Sequence, residues 1–277
     1  MLEIDDVRVS RGNTCILDGI TLRPRAGNLC AVIGPNGSGK STLLKTIAGQ
    51  CRPDSGSIRF GAGRYERDEA AQAGERVSFM PQDIRLDLDL SAVELALLGR
   101  LPDLRARVDD ALLQQALSVL DTVGLLPLAN RSIARMSGGQ RQMALFAQLL
   151  MRSCAVLLLD EPVSALDVRH QVMLLDVLHR ETRCRQCTTL VVLHDLNLAV
   201  QYADDIVVID RGRVTAQGKA HEVMTAAFLE RTYGIRTDVV AGSDGLPRIT
   251  PLRGAAPAAP LPWPACPSQN PPPADHP

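Results

Sequence analysis

A chain of 277 residues has room for one large domain or two small ones, and enough mass to bury a core. Hydrophobic residues at 45% and charged residues at 22% are ordinary globular usage, and a formal net charge of −1 excludes the basic field that a nucleic-acid partner requires. Seven cysteines, an odd number, and an N-terminus unlike an export signal point to a reducing interior; apolar runs too short to cross a bilayer point to a soluble chain.

In chain order, residues 2–9 and 16–22 alternate or cluster apolar residues as strands do, around a turn at Gly12-Asn13. Residues 29–33 form a buried-strand run, followed by a Gly-rich turn and by a helix of good formers at 41–48. The sequence Pro53-Asp-Ser-Gly-Ser breaks the chain before a short strand at 57–60, and 77–80 is another strand, ending at Pro81. From Ser91 to about Asn130 the period turns helical, with apolar residues three and four apart in 92–98 and 111–123. Ser137-Gly-Gly caps a helix reaching about Met151. Residues 156–159 and 189–193 are all-apolar, as parallel strands buried on both faces are, and 206–209 continues that sheet into a hairpin turn at Arg211-Gly212-Arg213. More than half of the prolines lie from Pro251 onward, beside the single tryptophan, Trp263. Residues 1–240 are therefore expected to fold as one domain, and 241–277 to be a Pro/Ala-rich, disordered tail.

Three constellations carry chemistry. Gly34-Pro35-Asn36-Gly37-Ser38-Gly39-Lys40-Ser41 has the phosphate-loop spacing between a buried strand and a helix. Its glycines let backbone amides turn inward toward phosphate oxygens, and the helix start adds positive potential. Lys40 offers a cation to the β- and γ-phosphates, and the Ser41 hydroxyl is a hard ligand suited to Mg²⁺. A bare Gly-rich link from strand to helix explains neither the lysine nor the hydroxyl. The second constellation is Asp160-Glu161 at the end of an apolar strand, with Asp160 placed to hold Mg²⁺ and Glu161 to polarise an attacking water. The third is Met136-Ser137-Gly138-Gly139-Gln140, where a hydroxyl and two glycines open a helix far in sequence from the first loop. On its own it is equally an ordinary N-cap.

Together these segments resemble the ABC ATPases: the third is similar to the family's signature sequence, with Met136 where Leu is usual. The resemblance covers about residues 1–240. It implies an α/β fold of the P-loop NTPase type, with a RecA-like parallel core, an N-terminal antiparallel β subdomain and a helical subdomain near 83–150. It further implies that Gln82 matches the glutamine that senses γ-phosphate and Mg²⁺, that Ser164-Ala-Leu-Asp167 matches the loop crossing a dimer, and that His194 matches the histidine contacting the γ-phosphate. Catalytic roles are thus expected for Glu161, His194 and Gln82. The nucleotide would be bound by Gly34 to Ser41 with Thr42, and by Ser137, Gly138, Gly139, Gln140 and Asp167; Mg²⁺ would be held by Ser41, Gln82 and Asp160. Where the family has an adenine-stacking aromatic this chain has Arg11, whose guanidinium can also stack on a base.

The resemblance implies ATP and Mg²⁺ as cofactors and a homodimer with two shared sites. As partners it implies integral-membrane permease subunits, docking near 83–100, and a periplasmic or surface substrate-binding protein; no nucleic acid is expected. The chain would sit peripherally on the cytoplasmic face of the inner membrane. Finer likeness, in Phe79-Met-Pro-Gln-Asp, His194-Asp-Leu-Asn-Leu-Ala and Tyr233-Gly-Ile, is to the ATPases that import iron chelates: ferric siderophore, haem or cobalamin. An ABC ATPase of another transporter type, or one with no membrane role, stands as the alternative. Cys184-Arg-Gln-Cys187 lacks a second pair and reads as structural, and Arg180, Arg183 and Arg185 read as a solvated face.

Overall fold

Alternating apolar residues at the N-terminus build β1 (Leu2–Arg11), which buries Leu2, Ile4, Val7 and Val9. It pairs antiparallel with β2 (Thr14–Leu22) on one side and β4 (Ser55–Phe60) on the other, and β5 (Gly63–Tyr65) extends β4 at the edge. In this computed structural model the described residues are 2–12, 14–61, 63–65, 76–82, 89–103 and 108–254. Expectations for 83–88 of the docking segment and for the tail from 255 onward, Trp263 included, lie outside the described residues.

Continuous apolar runs make the second sheet, as strands covered on both faces require. Its order is β10 (Arg213–Gly218), β9 (Asp205–Asp210), β3 (Leu29–Ile33), β8 (Thr188–Val192), β7 (Val156–Asp160), β6 (Val77–Met80). All neighbours are parallel except the β9–β10 hairpin. Successive residues of β3 point to opposite cores. Cys30 and Val32 face the antiparallel sheet and α1 (Lys40–Ile47), while Leu29, Ala31 and Ile33 face the remaining helices.

Those helices are α2 (Ala92–Leu97), α3 (Asp110–Thr122), α4 (Gly138–Met151), α5 (Val168–Arg185), α6 (Leu196–Tyr202), α7 (Ala220–Val223) and α8 (Ala226–Tyr233). The first three pack on one another as the helical subdomain, around the fully buried Phe146. Among the described residues no helix is long and apolar enough to cross a membrane.

Two expectations change. The boundary at 240/241 falls inside a hairpin, because β11 (Thr237–Ala241) pairs with β12 (Pro247–Pro251) and the described chain runs on to residue 254. The arginine cluster is not merely solvated. Arg183 pairs with Asp204 at 2.5 Å, and Arg185 donates to the Leu150 and Arg152 carbonyls that end α4, at 2.8 and 3.0 Å. The Cys184–Cys187 segment spans the end of α5 and the short link to β8: Cys184 is exposed in the last turn of the helix, and Cys187 is buried beside β8, where burial pushes its thiol up.

Candidate functional site

The C-terminal ends of four adjacent parallel strands deliver the candidate residues to one crevice, the usual place for a ligand in an open α/β sheet. β3 runs into the phosphate loop, β8 into His194, β7 into Asp160 and Glu161, and β6 through Pro81 into Gln82. Register keeps them level, with Val32 opposite Val192, Val192 opposite Asp160, and Leu159 opposite Met80.

The loop is held from below. Gly34 has φ 145°, and a Cβ there would overlap the Ile209 carbonyl oxygen, so no other residue fits. The β9–β10 turn has positive φ at both Arg211 (48°) and Gly212 (76°), the geometry of a two-residue hairpin. At its tip the Gly212 N–H donates to the Ser38 carbonyl at 3.0 Å, and its carbonyl accepts from Asp18 N–H of β2 at 2.8 Å. One hairpin tip thus clamps the loop to the antiparallel sheet.

The loop's donors are left for a ligand. No side chain caps α1, so its first amides are available, whereas Ser137 does cap α4. The buried Ser38 hydroxyl has no hydrogen-bond partner. Lys40 Nζ donates to the carbonyls of Gly34 and Pro35, both at 2.8 Å, while burial pushes its pKa down against the pull of the Glu161 and Asp160 carboxylates. These features fit a polyphosphate.

Beside the loop, Ser41 Oγ donates to Asp160 Oδ1 at 3.0 Å. Asp160 is buried, and burial raises its pKa more than the Ser41 hydrogen bond lowers it. A desolvated carboxylate with a hydroxyl beside it is a hard-oxygen pair suited to a divalent cation.

Glu161 draws the other candidates together. Its Oε2 accepts from Gln82 Nε2 at 2.7 Å, and its Oε1 lies 2.5 Å from His194 Nε2. The backbone here is in the left-handed region, φ 51°, which costs a non-glycine residue about 1–3 kcal/mol. The Glu161 carbonyl accepts from Ser164 Oγ at 3.1 Å and Gln142 Nε2 at 3.3 Å, and Gln142 also reaches the Pro162 carbonyl at 2.7 Å. Gln142 was not foreseen. Its one signal in the sequence is an amide among the apolar residues of α4.

The signature segment stands apart. Ser137 and Gln140 form a reciprocal capping box, with Gln140 N–H to Ser137 Oγ at 3.3 Å and Ser137 N–H to Gln140 Oε1 at 3.2 Å. Among the described residues no hydrogen bond joins this segment to the phosphate loop of the same chain. Asp167 caps α5, accepting from His170 N–H at 2.9 Å. Arg11 ends β1, exposed, paired with Thr14, two residues or about 7 Å of strand before Ile16. The Ile16 carbonyl lies against Gly39 and Gly212, and among the described residues no hydrogen bond joins Arg11 to the loop.

Comparison with known proteins agrees with this geometry. The ABC transporter family matches residues 17–164. The ferric enterobactin transport ATP-binding protein FepC of Escherichia coli is 33% identical, over 92% of this chain and 95% of its own length. The hemin import ATP-binding protein HmuV of Bradyrhizobium diazoefficiens is 37% identical, over 90% of this chain and 94% of its own. Among solved structures, a metal-chelate type ABC transporter in an inward-facing conformation is similar with a TM-score of 0.76 at 25% identity, covering 91% of this chain and 96% of that one. A dimeric ATP-binding cassette bound to ADP and Pi gives a TM-score of 0.72 at 26% identity, covering 79% and 98%.

Proposed function

Because the chain belongs to the ABC transporter family, we propose that it is the ATP-hydrolysing subunit of a membrane importer for an iron chelate: ferric siderophore, haem or cobalamin. Near-full-length likeness to the ferric enterobactin and hemin import ATPases supports the cargo class. The observation that carries the ATPase reading is the convergence of Gln82 and His194 on the two oxygens of Glu161, one residue from the Ser41–Asp160 pair.

Each residue's role follows from its place. On ATP binding Lys40 exchanges its two carbonyl partners for phosphate oxygens, and Ser38 gains the partner it lacks. Ser41, Asp160 and Gln82 would hold Mg²⁺, which supplies charge neutralisation on the phosphates. Glu161, freed from one of its bonds, orients the attacking water and draws off its proton. His194 then turns its imidazole to the γ-phosphate. Arg11 stacks on the adenine.

The site is half a site. Ser137, Gly138, Gly139 and Gln140, with Asp167 close by, complete the nucleotide's enclosure from a second copy, so the working unit is a homodimer. The dimeric cassette bound to ADP and Pi supports that reading. Permease subunits receive the closure motion beside Gln82 and hold the chain at the cytoplasmic face of the inner membrane; a substrate-binding protein on the far side selects the cargo. Deleting the gene should abolish uptake of an iron chelate by intact cells, and the chain should copurify with its permease. Unchanged uptake in the deletion strain, with no second ATPase expressed, sinks the importer reading.

A further inference from the structure

Asn197 stands three residues after His194, in the first turn of α6. Its carboxamide makes both hydrogen bonds that a strand would make to Ile249 of β12: Nδ2 donates to the Ile249 carbonyl at 3.1 Å, and Oδ1 accepts the Ile249 N–H at 2.9 Å. Ile249 is itself buried and sits opposite Val239 in the β11–β12 hairpin. At the other end of this C-terminal unit is the half-buried Tyr233, last residue of α8, whose phenol burial pushes up to about 12. The C-terminal hairpin is therefore bonded to the helix that directly follows His194.

We propose that this C-terminal unit is a brace for hydrolysis, and that Asn197 is the positioning residue through which it fixes the place of His194 at the nucleotide site. The helix α6 has seven residues, and a helix so short is not stable on its own. Its first turn is fixed by Asp195, which accepts from Asn197 N–H at 2.8 Å and Leu198 N–H at 3.1 Å, and by the Asn197–Ile249 pair. The Asp195 cap sets the turn's shape. The Asn197 pair sets where that turn sits, because it alone ties the turn to a strand by two bonds at a fixed angle. A carboxamide is the smallest side chain with donor and acceptor in peptide geometry, so Asp or Ala cannot replace it.

The proposal rests on reading Glu161 and His194 as hydrolytic residues, so the test carries a control for that reading. In the full chain, kcat and KM for ATP are measured for Asn197→Ala, Ile249→Pro and the double variant, with His194→Ala as control. Ile249→Pro removes the outward N–H from the strand side and leaves α6 unchanged, which keeps the test alive should Asn197→Ala misfold. Each single variant should lose kcat about 3- to 10-fold, with KM for ATP within twofold of the parent. The double variant should be no slower than the slower single one, since both cut the same link. Parental kcat in the single variants, beside an inactive His194→Ala, would overturn the brace alone. So would equal loss of kcat and ATP affinity, or additive losses in the double variant. An active His194→Ala would overturn the reading of the site and the brace with it.

Discussion

Two adjacent carboxylates do opposite electrostatic work in this site. Burial holds Asp160's pKa above the ordinary carboxylate value, so in the folded chain its charge is disfavoured relative to the unfolded one. A raised acid pKa means that the ionised group opposes folding at neutral pH, and that the penalty fades as pH falls below the folded value. Asp160→Asn keeps an acceptor for Ser41 and removes the charge. Without ligand it should melt higher, by roughly 2–4 °C for each 1 kcal/mol relieved. It should also lose most of the further rise that Mg²⁺ with ATP gives the parent; differential scanning fluorimetry with and without ligand reads both. Glu161→Gln keeps shape and loses the charge that polarises water. It should bind ATP normally, lose most hydrolysis, and run as an ATP-held dimer on gel filtration; near-parental turnover would remove Glu161 from its role. The thiols of buried Cys30 and half-buried Cys154, pushed up to about 12 and about 11, are packing groups at neutral pH.

At the scale of elements, the hairpin tip at Arg211-Gly212 joins three pieces that are distant in sequence. Gly212→Ala puts a Cβ 2.5 Å from the Ile16 carbonyl oxygen at a positive φ. The backbone term alone costs about 1 kcal/mol, and the contact adds to it. The variant should melt several degrees lower and show a raised KM for ATP, because the displaced tip no longer supports Ser38; a fall in melting temperature with unchanged KM would separate the clamp from the loop. Such joints are the part that the sequence does not spell out. The phosphate loop and the buried strands are legible because their spacing is local and their flanks agree. The β11–β12 hairpin has a local signal, Asp244-Gly245 between short alternating runs, but the proline-rich stretch beyond it pulled the expected boundary inward. Gln142 and Asn197 carry no such signal, since each acquires its partner only when distant segments come together. Asn197 of His194-Asp-Leu-Asn thus acquires its place only where the hairpin meets α6.

At the scale of the whole molecule, the proposed site is a divided one, in which the phosphate loop of one copy would require the Ser137 segment of another. Lys40→Ala should lose ATP affinity directly. Ser137→Arg should bind ATP as a monomer and fail to close. Mixed together, the two inactive variants should regain up to one working site per heterodimer, read as ATPase activity against mixing ratio. A mixture that stays inactive while both variants remain folded would count against the shared site. In the single chain both oxygens of Glu161 are engaged, one by Gln82 and one by His194. If the site is completed only by a second copy, turnover per chain should climb with protein concentration instead of staying flat. Under that dependence, a cell could make this subunit in excess without draining its ATP, because unpaired chains would spend little of it.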